Sequence, residues 1–109
     1  MLIAYDVSLE LISQLRGVMP AIKRADRNLA DQIGRAATSI TLNVAEGSGR
    51  TAGDQRRMYE TAYGSAKEVR AAIAVGVAWG WIGEPAPLLR ILDRLLGLLW
   101  GLSHPRGTV

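Results

Sequence analysis

Apolar residues recur along this chain at three- and four-residue steps and almost nowhere in strict alternation, which predicts helices and no strands. Val7, Leu11, Leu15 and Val18 share one face, widened by Leu9 and Ile12, and predict a first helix over about 6–19. Pro20 is expected to kink or end it, because proline lacks the amide that a helix interior needs. The segment AIKRADRN then crosses to a second helix, with Asn28 as the expected N-cap. Over 29–47, Leu29, Ile33, Ala37, Ile40 and Val44 form a narrow apolar stripe. A second stripe at the same period is polar: Arg35, Ser39, Asn43, Glu46 and Arg50. A third helix is predicted over about 53–79, with Met58, Ala62, Ser65, Val69, Ile73 and Gly76 as its seam and many small residues beside it. GWIGEPAP is the next break.

The last helix is predicted over 86–102. Leu88, Leu92, Leu95, Leu99 and Leu102 repeat at steps of four and three, as in a coiled-coil seam. Leu89, Ile91, Leu96, Leu98 and Trp100 widen the apolar arc to about 200°, where a bundle helix needs about 100°. Four helices in a bundle leave no member fully surrounded, so this surplus predicts self-association, with Leu89, Leu96, Leu98 and Trp100 as the candidate interface. Residues 103–109 are expected to form a loose tail. The expected architecture is therefore all-α: an antiparallel up-down four-helix bundle in a single domain over 1–109.

Composition narrows the function classes. At 109 residues the chain has the length of one domain, and 49% hydrophobic residues suffice for a core. Cysteine is absent, which removes disulfides and thiolate metal sites. The opening MLIAYDVSLELI lacks the pattern of a secretory signal, and no apolar run approaches the roughly 18 residues of a membrane span. A soluble cytoplasmic protein is expected. Thirteen Lys and Arg, eleven of them Arg, oppose ten acids, giving +3. Arginine suits phosphate but also interface ion pairs.

EGSGRTAG is not a phosphate loop: it lacks the lysine and spacing of a Walker motif, and a helix precedes it. The expectation is a helix end, with Gly47 or Gly49 as a left-handed C-cap. The sole histidine, His104, stands near the end of the sequence, so Ser-His and histidine-rich metal constellations are missing. Glu46 and Glu68 could pair across helices, but two carboxylates without His or Cys are weak grounds for a metal site. Arg35, Ser39, Asn43, Glu46 and Glu68 are instead expected to form a structural polar network inside the bundle or at a subunit interface. On that reading Glu46→Ala strands a buried arginine, at a cost of about 3–5 kcal/mol. Basic residues gather at two connections: Lys23, Arg24 and Arg27 at one, Arg50, Arg56 and Arg57 at the other. These six are the candidate nucleic-acid contacts. Trp79, Trp81 and Trp100 read as core or interface anchors. Aromatic residues are few, which argues against a single-strand stacking platform.

LADQIGRAATSITLNVAEGSGR followed by YETAYGSAKEV resembles the four-helix-bundle proteins encoded in ribosomal RNA intervening sequences, a family that includes the accessory variability determinant of diversity-generating retroelements. The matching positions begin at Leu29, Gln32, Ile33 and Arg35. They continue through Ser39, Ile40, Asn43 and Glu46 to Gly47, Gly49 and Arg50, then Ala62, Gly64, Ser65 and Glu68. Thr41 and Leu42 stand where many members have Pro-Ser, so a straighter helix is expected, and the first helix lacks the family's aromatic residues. The resemblance implies a homopentamer with no catalytic activity and no cofactor. For retroelement members it implies a basic barrel that binds nucleic acid and a reverse transcriptase. The expected function is a non-catalytic, oligomeric nucleic-acid-binding accessory protein that contacts RNA or DNA phosphates. The alternatives are a protein-interaction scaffold and, on Glu46 and Glu68 alone, an enzyme.

Overall fold

The computed structural model describes residues 2–105. These fold into five helices with no strand among them: α1 (Ile3–Leu15), α2 (Met19–Ala25), α3 (Arg27–Gly47), α4 (Ala52–Ala78) and α5 (Ala86–Ser103). The fold class is all-α, as the periodicity predicted, with one helix more than expected.

The extra helix arises at Pro20. α1 stops at Leu15, and Pro20 lies in the first turn of α2, where its missing amide would have no partner anyway. The proline thus opens a helix and does not kink the one before it. At the other end α1 starts at Ile3, earlier than expected, because Ala4 is buried with Val7, Ser8, Leu11 and Leu15; Tyr5 therefore belongs to it. Ile22 is the buried anchor of α2. The cap of α3 is Asp26, not Asn28: its backbone is extended, and its Oδ1 accepts the Leu29 amide at 3.0 Å.

The glycine caps are also redistributed. Neither Gly47 nor Gly49 has a positive φ; Ala52 does, at 39°. Gly47 is buried for a different reason: a Cβ there would lie 2.9 Å from Tyr59 Cε1 and 3.2 Å from Met58 Cβ. Gln55 fastens this turn by donating from Nε2 to the Gly47 and Arg50 carbonyls at 3.1 and 3.2 Å. The left-handed glycine cap ends α4 instead. Gly80 has φ 78°, its amide reaches the Val77 carbonyl, and the Trp81 amide reaches that of Gly76, both at 2.9 Å.

One hydrophobic cluster joins all five helices. Around it α1 packs on α3, α3 on α4, α4 on α5 and α5 on α1, while α2 lies on α3. Side-chain contacts fix the registers. Thr41 Oγ1 donates to Ser8 Oγ at 2.8 Å, tying α3 to α1. Ser65 Oγ donates to Ser39 Oγ at 3.1 Å, which agrees with Gly47 against Tyr59: residue numbers on α3 and α4 add to a nearly constant sum, as antiparallel helices require. Arg70 with Asp93 and Tyr63 with Trp100 give the same rule for α4 and α5. Of the expected tail, Ser103 is buried inside α5 and donates to the Leu99 carbonyl, while exposed His104 stacks on Trp100. Residues 106–109 lie outside the described residues.

Candidate nucleic-acid interface

The six candidate cations stand at the two ends of α3. Its span from Arg27 to Gly47 separates them by about 30 Å along the axis, several Debye lengths at physiological salt. Each cluster therefore acts alone within one chain.

Their surroundings differ. At the α3–α4 turn every arginine has an acidic neighbour: Arg50 with Glu46 at 2.9 Å, Arg56 with Glu60 at 3.8 Å, and Arg57 with Asp54 at 3.0 Å. At the α2–α3 corner no ion pair forms among the described residues. Lys23 and Arg24 occupy the last turn of α2, where a cation complements the helix dipole. Arg27 opens α3, where the same dipole opposes a cation, so its charge serves no purpose in the helix itself. All three side chains are exposed. Asp26, the nearest acid in the chain, is engaged in capping.

Arg16 joins this corner, a residue sequence reasoning passed over. Because α1 ends one residue earlier, Arg16 sits at its C-terminus, exposed and without an acidic partner among the described residues. With Lys23 it borders an apolar groove of about 500 Å³ between α1 and α3, floored by Ile12, Met19 and Ala37. The signal that would have found it is the helix end, which the proline obscured.

The expected polar network divides. Ser39 and Asn43 are half-buried: Asn43 Nδ2 donates to the Ser39 carbonyl and Oγ at 2.9 and 3.0 Å, and Ser65 completes the link to α4. Arg35, Glu46 and Glu68 are exposed, so this chain by itself does not bury them. The Glu46–Arg50 side chains are 54% and 48% exposed, and such an i,i+4 pair contributes about 0.3–0.5 kcal/mol. Loss of Glu46 therefore strands no buried arginine within one chain, contrary to the sequence expectation. Glu46 and Glu68 do not meet either. The α3–α4 register sets Glu46 level with Met58, ten residues from Glu68, an axial gap of about 15 Å. Among the described residues no three His, Asp or Glu gather as metal ligands. Burial, with Gly47 against its ring, pushes the Tyr59 phenol pKa up.

The candidate interface residues occupy two flanks. Leu96 and Trp100 face α4, where Trp100 lies 6.0 Å from Tyr63, and Leu89 is one heptad before Leu96. Leu98 faces α1 beside Ile3. Leu89, Leu96 and Leu98 are half-buried against their own core; Trp100 is 52% exposed. Trp79 is 70% exposed, so neither it nor Trp100 is a core anchor of this chain.

No described helix is long and apolar enough to cross a membrane. No curated protein matches this sequence. A crystal structure from Bacteroides thetaiotaomicron, of a protein with unknown function from the S23 ribosomal protein family, superposes with a TM-score of 0.81. The alignment covers 94% of this chain and 99% of that one at 18% identity, a likeness of fold. The sequence model of the 23S rRNA-intervening sequence protein family matches residues 1–98, from α1 through most of α5, and the chain belongs to that family.

Proposed function

We propose that this protein is a non-catalytic, oligomeric four-helix bundle that binds the phosphate backbone of RNA or DNA. The closed circuit α1–α3–α4–α5 with antiparallel neighbours supports the bundle, with α2 as an elaborated connection. The homopentamer is the assembly that the family resemblance implies. The observation that carries nucleic-acid binding is the contrast between the two cationic ends. Arg16, Lys23, Arg24 and Arg27 present charge with no acidic partner among the described residues, whereas Arg50, Arg56 and Arg57 are locally neutralised. Unpaired exposed cations are free to replace the counterions of a polyanion. Repeated around a ring, the corner becomes a continuous basic rim.

A gel-shift titration with a structured RNA tests this. For three phosphates neutralised per bound subunit, affinity falls about 20- to 40-fold between 50 and 200 mM salt. Lys23→Ala/Arg24→Ala/Arg27→Ala flattens that salt dependence, and Arg50→Ala/Arg56→Ala/Arg57→Ala changes it less. Absence of binding at low salt, or binding indifferent to salt, overturns the proposal.

A further inference from the structure

Trp79 and Trp81 flank the turn that ends α4, and like Trp100 they stand outside the hydrophobic cluster. Ile82 beside them packs against it. The left-handed Gly80 turn folds the chain back on itself, so the two indoles lie nearly parallel, at 9°, with centroids 5.9 Å apart. Trp81 is half-buried, held by its amide bond to the Gly76 carbonyl and by the packing of Ile82 over Gly76. Trp79, at 70% exposure, thus has a parallel, offset indole beside it and leaves most of its surface to solvent.

The same end of the molecule carries the unpaired cations. A Cβ on Gly76 would lie 3.5 Å from Ile82 and 3.8 Å from Ile22, so the tryptophan turn and α2 meet across one glycine of α4. Lys23 and Arg24 follow Ile22 directly. The α3–α4 register puts Trp79 within about one helical turn of the level of Arg27. Glu84 is the acid in the adjoining loop, whereas the α2–α3 side carries Lys23, Arg24 and Arg27 against Asp26 and Asp31.

We infer that Trp79, with Trp81 beside it, is a stacking platform for an unpaired base of a single-stranded nucleic acid whose phosphates are held by Lys23, Arg24 and Arg27. This rests on the phosphate-binding reading above and adds a preference for unpaired over backbone-only ligand. Every base has a π-face, so the platform is sequence-tolerant. Counting aromatic residues argued against it; their placement argues for it.

The test compares the full-length protein and Trp79→Ala on a single-stranded DNA of about 12 nucleotides and on an abasic strand of equal length. Wild type binds the base-bearing strand more tightly. Trp79→Ala weakens that strand by about 5- to 150-fold, the range of one lost base stack, while abasic binding and salt dependence stay as in wild type. Trp79→Phe recovers part of the loss. Equal binding of the base-bearing strand by wild type and Trp79→Ala overturns the platform and leaves phosphate binding standing. So does an equal loss on both strands, or a changed oligomer mass for Trp79→Ala, which would make Trp79 a subunit contact. If wild type binds neither strand at low salt, the platform falls, and phosphate binding falls with it when the structured RNA is not bound either.

Discussion

Two buried hydroxyls meet in the seam between α1 and α3, whose other buried residues are apolar. Ser8, fully buried, donates to the Tyr5 carbonyl at 2.6 Å and accepts from Thr41 at 2.8 Å. A buried hydroxyl without a partner costs more than a hydrogen bond contributes, so the two residues depend on each other. Thr41→Val removes one donor and keeps the volume; Ser8 retains its carbonyl, and the expected loss is about 0.5–1.5 kcal/mol. Ser8→Ala strands the threonine hydroxyl, which can turn back to the carbonyl four residues earlier in its own helix, so the loss stays near about 1–2 kcal/mol. The double variant is expected to lose less than the sum, because an apolar pair leaves nothing unsatisfied. Urea unfolding of the four proteins measures the coupling; additive losses would show that the hydroxyls act independently.

At the scale of elements, two glycines in helices should respond in opposite directions. Gly64 lies on the exposed face of α4 with nothing within 4 Å of a would-be Cβ. Gly64→Ala is expected to gain about 0.5–1 kcal/mol from reduced chain entropy. Gly47→Ala enjoys the same gain but drives a methyl into Tyr59, whose ring is fixed by burial, and overpacking of that kind costs about 1–3 kcal/mol. Thermal melts should therefore move up for Gly64→Ala and down for Gly47→Ala; two upward shifts would mean that Tyr59 yields freely. How much of this was legible in the sequence follows from the same physics. α3, α4 and α5 emerged within one or two residues, since long apolar periods are robust to local detail. The α1–α2 junction did not, because proline is equally at home after one helix and at the start of another. Asp26 and Asn28 are chemically equivalent as caps, and only geometry selects between them. Gly80 was hidden inside a break already rich in turn residues. The polar stripe of α3 was correctly one-sided, but periodicity groups residues on a face without saying which face is buried. Hence Ser39 and Asn43 turned inward with Ser65, and Glu46 turned outward to Arg50.

The whole molecule measures 45 × 21 × 21 Å, and α5 runs along it with an apolar flank on each side. On one flank Ile3, 59% exposed, borders a groove with Leu98, Gly97 and Gly101. On the other, Trp100 joins Tyr63, which with Leu96, Ala71 and Ala74 lines a shallow groove that also carries the Lys67 and Arg70 side chains. Arg90 and Arg94 lie exposed between them, so the flanks are separate patches. Two distinct patches on opposite sides of one helix suit head-to-tail contacts, which close into a ring, better than a two-fold contact that uses one patch twice. Light scattering is expected to give about five times the 11.8 kDa chain mass. A charge on either flank, Ile3→Glu or Trp100→Glu, should reduce the particle to single chains, since each contact in the ring needs both patches. Both residues are exposed in the single chain, so the helical circular dichroism should survive. Mixing the two variants then restores one contact only, between the intact flank of one and the intact flank of the other, and yields a dimer that grows no further. A two-fold assembly would behave differently: one variant would be harmless and the other would abolish association, with no rescue on mixing.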